Sequence, residues 1–501
     1  MIDTQTLIAI LGLVGMVIVG GALLAGPVER SGLPALAVFL LLGVVLGPIG
    51  FNLIQVQLTD PLLRVVATLS LTLVLFTDAM TLDLGEVRRN KALAALILGP
   101  GTLLAALGFA FVAWFMLALD PIAAMILGAA VASTDPVVLR GMRYGSGLPD
   151  RLHLALRLES GMNDVMLLPL VVIALAFSAA GGLPPLSELA RLLISLFVLG
   201  PAAGALVAYV AVRMLVWVRA KVGVRREYEA LYVIGVALSA FAAAEALGGS
   251  GFLAAFAAGV VVTSLDVELC DCFLEYGQVT AEMALLFTYV LLGVAPIWSG
   301  LGIVGPLTLI FAAIVLLARL PIFALALKPL GLSMRERLTL GWYGPRGLGS
   351  LLLALLAVFA GLPAGEQLVA ITSLCVLVSV ALQGGWPVIR RVRRGWAPAI
   401  PVPSASSEAA SLPVIPLLVE VNPEHTLPAL AGDGVRISPA QVHQLIASGQ
   451  PVLLLDTRSE RAHRADAAIG GGALHVVPEQ AIATMRARGV PTNTWLIAAC
   501  T

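Results

Sequence analysis

The residues in this chain that could do chemistry stand out because apolar sequence surrounds them. Long hydrophobic runs contain Asp78, Asp135, Arg157, Glu159, Asp164, Glu245, Glu282, Arg319 and Arg346. A charge inside a membrane is costly, so each of these is a functional candidate by default. The densest group is Glu159-Ser160-Gly161-Met162-Asn163-Asp164. At about 100° per residue, Glu159, Asn163 and Asp164 share one side of a helix. A carboxylate beside a carboxamide offers hard oxygen ligands, suited to Na⁺ or Li⁺ and less well to dehydrated K⁺. Taking the carboxylate out of water disfavours its bare anion, so a proton and a cation compete for it. Such competition is sufficient for exchange if the site opens to each side in turn. A structural hydrogen bond between helices would explain one Asn or Asp, but not the whole cluster.

Two interruptions lie among these residues. Ser133-Thr134-Asp135-Pro136 puts a proline in one apolar run, where it removes a backbone hydrogen bond and clashes with the preceding turn. Gly341-Trp342-Tyr343-Gly344-Pro345-Arg346-Gly347 interrupts another. Broken helices survive in a membrane only where protein or water satisfies the freed backbone groups.

The elements that must position these groups are membrane helices. Of 501 residues, 59% are hydrophobic and 12% charged, against about 25% charged in soluble domains. The net charge is zero, so no nucleic acid or other polyanion is expected as a partner. A spanning helix needs roughly 20 apolar residues. Thirteen segments qualify, near 5–25, 32–49, 61–81, 91–117, 121–139, 152–180, 189–217, 228–247, 250–265, 279–298, 301–328, 335–360 and 367–389.

Arginine and lysine gather after the odd-numbered segments: Arg88, Arg89 and Lys91; Arg140, Arg143 and Arg151; Arg219, Lys221, Arg225 and Arg226; Lys328, Arg335 and Arg337; Arg390, Arg391, Arg393 and Arg394. The exception is the acidic loop 266–275. The alternation predicts a multi-pass protein of the inner (plasma) membrane, N-terminus outside and C-terminus cytoplasmic. No cleavable leader is expected, because no basic region precedes the first apolar run. The interruptions fall in segments 5 and 12, seven apart, so those helices run in opposite directions. That arrangement is expected of inverted repeats, segments 1–6 matching 8–13, with the binding site at the crossing. The predicted fold class is an all-α polytopic membrane protein with a small α/β soluble tail.

Three parts are expected: a membrane domain over 1–395, a Pro/Ser/Ala-rich linker over 396–418, and a soluble unit over 419–501 holding four of the five histidines. In the last, 451–456 reads as a buried strand and 439–448 as a short helix. The cysteines Cys270, Cys272, Cys375 and Cys500 suggest no disulfide framework. Cys270 and Cys272 form a C-x-C pair, a weak metal pattern read here as ordinary loop thiols.

Four ordered motifs carry a resemblance. Thr134-Asp135-Pro136, Glu159-Ser160-x-x-Asn163-Asp164, Gly251-Phe252-Leu253-Ala254-Ala255-Phe256-x-Ala-Gly259 and Gly344-Pro345-Arg346-Gly347 resemble those of the sodium/proton antiporters of the NhaP type, in the first branch of the cation/proton antiporter superfamily. The resemblance covers roughly 5–390. It implies that Asp164 alternately binds Na⁺ and H⁺, and that Asp135, Thr134 and Ser160 complete the coordination. Asn163 would hold the site's shape. It also implies a Glu159–Arg346 pair, an Arg319–Asp78 pair, electroneutral exchange, a homodimer in membrane lipid, and no cofactor. Glu245 and Glu282 receive no family role and are expected near helix ends, facing water. The glycine that often follows the family's Asn-Asp is Val165 here, which predicts a stiffer helix.

Pro451-Val-Leu-Leu-Leu-Asp456-Thr457-Arg458, Gly470-Gly-Gly-Ala473 and Thr494-Trp-Leu-Ile-Ala-Ala-Cys500 resemble the first half of a rhodanese-like domain, with Cys500 at the position of that family's cysteine. The residues that would form its loop after Cys500 lie beyond Thr501, so this segment as written is expected to be non-catalytic, with an unknown ligand. The leading expectation is a secondary Na⁺(Li⁺)/H⁺ antiporter and not an enzyme. The alternatives are a K⁺/H⁺ antiporter and, from another class, a membrane-anchored sulfurtransferase or sulfur sensor.

Overall fold

The computed structural model describes residues 14–21, 35–82, 84–135, 150–182, 184–222, 226–265, 271–294 and 305–384, with 452–456, 474–476 and 494–499 in the tail and a few isolated neighbours. The chain divides into two compact units, Met1–Ala397 and Pro398–Thr501. The linker 396–418, the helix expected over 439–448, Pro136, Arg140, Arg143, Cys270 and Cys500 lie outside the described residues. Cys272 is placed only by its backbone.

The described part of the first unit is helical throughout, apart from its connections. Its helices are α1 (residues 14–21), α2 (Ala35–Leu46), α3 (Pro61–Thr81), α4 (Lys91–Leu117), α5 (Pro121–Ala132), α6 (Asp150–Ala179), α7 (Leu186–Arg219), α8 (Arg226–Ala246), α9 (Gly251–Ser264), α10 (Asp271–Val294), α11 (Pro306–Ala326), α12 in two halves (Met334–Trp342 and Leu348–Phe359), and α13 (Gly365–Gln383). Seven are long and apolar enough to cross a bilayer: α3, α4, α6, α7, α10, α11 and α13. Each of the thirteen expected segments therefore has a helix.

The two interrupted runs are short for a stated reason. Helix α5 starts on an Asp120 cap, whose carboxylate accepts from the Ile122 and Ala123 N–H groups, with Pro121 at the first helical position. It stops at Ala132, and Ser133 is already extended (φ −59°, ψ 138°). The break falls at the Ser133–Pro136 interruption read from the sequence and comes one turn before Pro136. The residue preceding a proline is pushed out of the helical region, and here the departure begins two residues earlier still. Helix α12 opens with a Ser333–Glu336 capping box, stops at Trp342, and resumes at Leu348.

The helices pack in two groups. Helices α2, α3, α7, α8, α9 and α10 lie mainly on one another, as do α4, α5, α6, α11, α12 and α13; α3 meets α6 and the second half of α12 across the boundary. Inside each group, small residues bring backbones together, as expected where lipid removes the hydrophobic drive for helix association. A Cβ on Gly43 would strike the α10 backbone at Val290 and Gly293, and one on Gly128 would strike α4 at Ala106 and Ala110. In the second unit, β1 (Val452–Asp456), β2 (Leu474–His475) and β3 (Trp495–Ala499) form a parallel sheet of order β2-β1-β3. The strand expected over 451–456 is thus present, at the sheet's centre.

Candidate functional site

The site is built where the extended stretches of α5 and α12 cross. The Asp135 N–H donates to the Pro345 carbonyl at 2.9 Å, joining the two breaks directly. Each break leaves unsatisfied helix ends, and a side chain of the opposite stretch answers each one. At the second half of α12, the Leu348 N–H donates to Asp135 Oδ2 at 3.0 Å. At the end of α5, Arg346 Nη1 donates to the carbonyls of Ala132 (2.8 Å) and Ser133 (3.3 Å). An anion thus faces a helix N-terminus and a cation a helix C-terminus, the favourable sense for both dipoles. Gly347 makes room for this: a Cβ there would overlap the Asp135 carboxylate.

Helix α6 brings the acidic cluster to the crossing. Ser133 Oγ donates to Asp164 Oδ1 at 2.5 Å. Asn163 Nδ2 donates to Thr134 Oγ1 (2.7 Å) and to the Thr134 carbonyl (3.3 Å). The carboxamide is completely enclosed, and its Oδ1 finds no donor among the described residues. Asp164 is only half-buried, whereas Asp135, Thr134 and Ser160 are buried. The Ser160 hydroxyl turns back toward its own helix, to the Arg157 carbonyl at 3.5 Å, the weakest contact of the set. A Cβ on Gly349 would lie 2.6 Å from both Asp164 Oδ2 and Ser133 Oγ, so the backbone of α12 forms a close wall on Asp164.

The expected ion pairs need correction. Glu159 pairs with Arg319, not Arg346: Arg319 Nη2 reaches both carboxylate oxygens at 2.5 and 2.6 Å. It follows that Asp78, half-buried on α3, is not the carboxylate that takes the Arg319 hydrogen bonds. Similar depth suggested the other pairing, but depth does not fix facing. A turn at Ala318 breaks α11, and Arg319 begins the next stretch, packed on Phe323 and against Gly344 of the α12 break. Arg346 is drawn to the open carbonyls of α5 and lies over Phe109, with Glu159 within Coulombic reach only.

Several contributors were not predicted. Ser379 and Gln383, one turn apart on α13, satisfy the α12 break: Arg346 N–H donates to Ser379 Oγ (2.8 Å), Ser379 to Gln383 Oε1 (2.6 Å), and Gln383 Nε2 to the Trp342 carbonyl (2.7 Å). Ser350 donates to the Ser133 carbonyl at 3.2 Å. Tyr289 of α10 donates to Asp135 Oδ2 at 3.3 Å. A polar i, i+4 pair within apolar α13 was a readable signal for the first of these; a lone tyrosine was not. Glu245 does lie exposed near the end of α8, where it accepts from the Gly251 N–H at the start of α9. Glu282 is exposed but sits within α10, not at its end.

The arrangement can hold a small cation among carboxylate, carboxamide and hydroxyl oxygens, and Asp164 can take a proton in its place. The family model for the transmembrane sodium/hydrogen exchanger matches residues 15–389. The chain is 26% identical over 397 residues to the K⁺/H⁺ antiporter NhaP of Alkalimonas amylolytica, covering 77% of this chain and 66% of that one. It is 28% identical over 388 residues to a K⁺/H⁺ antiporter NhaP2 of a Shewanella species, covering 74% and 65%. It is 26% identical over 393 residues to the Na⁺/H⁺ antiporter NhaP of Pseudomonas aeruginosa, covering 72% and 89%. The chain thus spans just under two thirds of the first two relatives. A solved structure of the sodium proton antiporter MjNhaP1 from Methanocaldococcus jannaschii shares the fold, with TM-score 0.63 and 22% identity over 78% of this chain and 99% of that one.

Proposed function

Because the chain belongs to the sodium/hydrogen exchanger family, we propose that it is a secondary antiporter exchanging a monovalent cation, Na⁺ or Li⁺, for H⁺ by alternating access. Asp164 carries the exchange. The observation behind this is its placement: a carboxylate against the crossing of two broken helices, with Ser133 on one oxygen and the Gly349 backbone beside the other. Asp135, Thr134 and Ser160 are the further ligands. Asn163, fastened to Thr134, holds the shape and turns an unoccupied amide oxygen inward. Glu159 and Arg319 form a structural pair.

Exchange is one cation for one proton. The carboxylate of Asp135 is already engaged with a helix N-terminus, and Asn163 does not titrate, so one group is left to alternate. The two helical groups supply the moving parts: the one carrying α5, α6 and α12 shifts against the one carrying α3, α9 and α10. The working unit is a homodimer in the plasma membrane, with the C-terminus cytoplasmic. K⁺ in place of Na⁺ is the second reading, favoured by the names of several relatives.

The test is a cation series (Na⁺, Li⁺, K⁺, Rb⁺) across pH in reconstituted vesicles, wild type against Asp164→Asn. The variant is expected to fold and to lose cation-driven proton flux. Exchange at the normal rate in Asp164→Asn would refute the assigned site, and the wild-type series ranks the cations.

A further inference from the structure

Tyr289 is buried on α10, in the group of helices opposite the crossing, yet its hydroxyl ends on a site carboxylate. A buried tyrosine needs a partner for its O–H, and this one has Asp135 Oδ2 at 3.3 Å. The same oxygen accepts the Leu348 N–H at 3.0 Å. The hydroxyl and the first amide of the second half of α12 therefore grip one carboxylate oxygen from two sides.

The backbone under Tyr289 is firmly held. One residue earlier, Thr288 Oγ1 meets Ser70 Oγ of α3 at 2.7 Å, and Ser70 also donates to the Ala284 carbonyl at 2.7 Å. One turn later, Gly293 lies against Gly43 of α2, backbone to backbone. Tyr289 is thus fixed to α2 and α3, while its acceptor lies in the extended stretch that follows α5. At 3.3 Å the bond is longer than the usual 2.7–2.8 Å for a hydroxyl donor, so it holds the carboxylate without locking it.

We propose that Tyr289 is a positioning residue of the exchange site: from the α2–α3–α10 side it orients the Asp135 carboxylate in this state, and it must release that carboxylate whenever the two helical groups move past each other. The inference rests on the antiport reading above. Its consequence is a split between affinity and rate. Losing the hydroxyl disorders a cation ligand, which weakens binding, and removes a restraint on movement, which spares turnover.

The experiment compares wild type and Tyr289→Phe, full chain, in reconstituted vesicles with the cation the wild type exchanges fastest. A double-mutant cycle with Asp135→Ala, read as thermal stability with and without that cation, accompanies it. Phenylalanine keeps the ring and removes only the hydroxyl. The half-saturating cation concentration is expected to rise about fivefold, the scale of one weak hydrogen bond, with maximal rate within about twofold of wild type. In the cycle, Tyr289→Phe should cost little once Asp135 is already Ala, which leaves the hydroxyl no acceptor there. An unchanged half-saturation, a loss of maximal rate alone, or additive losses in the cycle would overturn the proposal. A wild type with no cation-dependent proton flux would instead overturn the antiport reading, and the cation-free cycle would then decide the Tyr289–Asp135 contact by itself.

Discussion

Replacing Glu159 by alanine separates the two roles open to a buried acid one turn from Asn163. If Glu159 is a structural partner, its loss strands Arg319. That guanidinium is 2% exposed, and two of its three nitrogens, Nε and Nη1, already lack hydrogen-bond acceptors among the described residues. Its remaining support is Nη2, shared between the Glu159 carboxylate and a long contact to the Leu340 carbonyl (3.4 Å), together with the Phe323 ring 4.2 Å away. Breaking one side of a buried ion pair costs about 3–5 kcal/mol. A kcal/mol is worth about 2–4 °C in a domain of 150–250 residues and less in the larger unit Met1–Ala397, so melting temperature should fall by several degrees. The assay is thermal unfolding of the purified protein in detergent, alongside cation-dependent stabilisation. Removing both charges, Glu159→Leu with Arg319→Met, should restore most of the loss, since an apolar pair can replace a buried ion pair at little cost. Pairing Glu159→Leu with Arg346→Met should restore nothing, because Arg346 is committed to α5. A Glu159→Ala protein that melts normally but no longer binds cation would refute the structural assignment and make Glu159 a ligand.

Other perturbations follow from the same geometry. Gly349→Ala puts a methyl 2.6 Å from Asp164 Oδ2 and Ser133 Oγ; cation affinity measured by exchange kinetics should fall at least tenfold while the protein still elutes as a folded species. Gln383→Leu strips the Trp342 carbonyl and the Ser379 hydroxyl of their partner, at about 1–3 kcal/mol for buried polar groups left unsatisfied; melting should drop by several degrees with half-saturation unchanged. Ser133→Ala removes the 2.5 Å donor to Asp164 and should shift the pH profile of exchange without altering melting.

Much of this was legible in the sequence. Hydrophobic runs and arginine placement locate the helices, and Pro136 and Gly344-Pro345 mark the two breaks, because backbone chemistry there is local. The clustering of Glu159, Asn163 and Asp164 is also local, following from helical period alone. What could not be read depends on rotation and tilt. Arg319 and Arg346 are equally plausible partners for Glu159 until the turn at Ala318 decides which one faces α6. Tyr289 lies 154 residues from Asp135, and no pattern in α10 announces the contact. The bond from the Asp135 N–H to the Pro345 carbonyl, which joins the two breaks, is supplied only by the folded crossing.

That crossing also constrains how the protein can be made. The open carbonyls at the end of α5 are satisfied by a side chain 214 residues later in the chain. While the chain is still emerging, the first broken helix carries bare carbonyls that lipid cannot solvate. It must wait beside the insertion machinery, or in water, until α12 arrives. An N-terminal half expressed alone is therefore expected to be a substrate for membrane quality control, and co-expression of the missing half should rescue it. The crossing that serves transport thus makes the first half of the chain a dependent of the second.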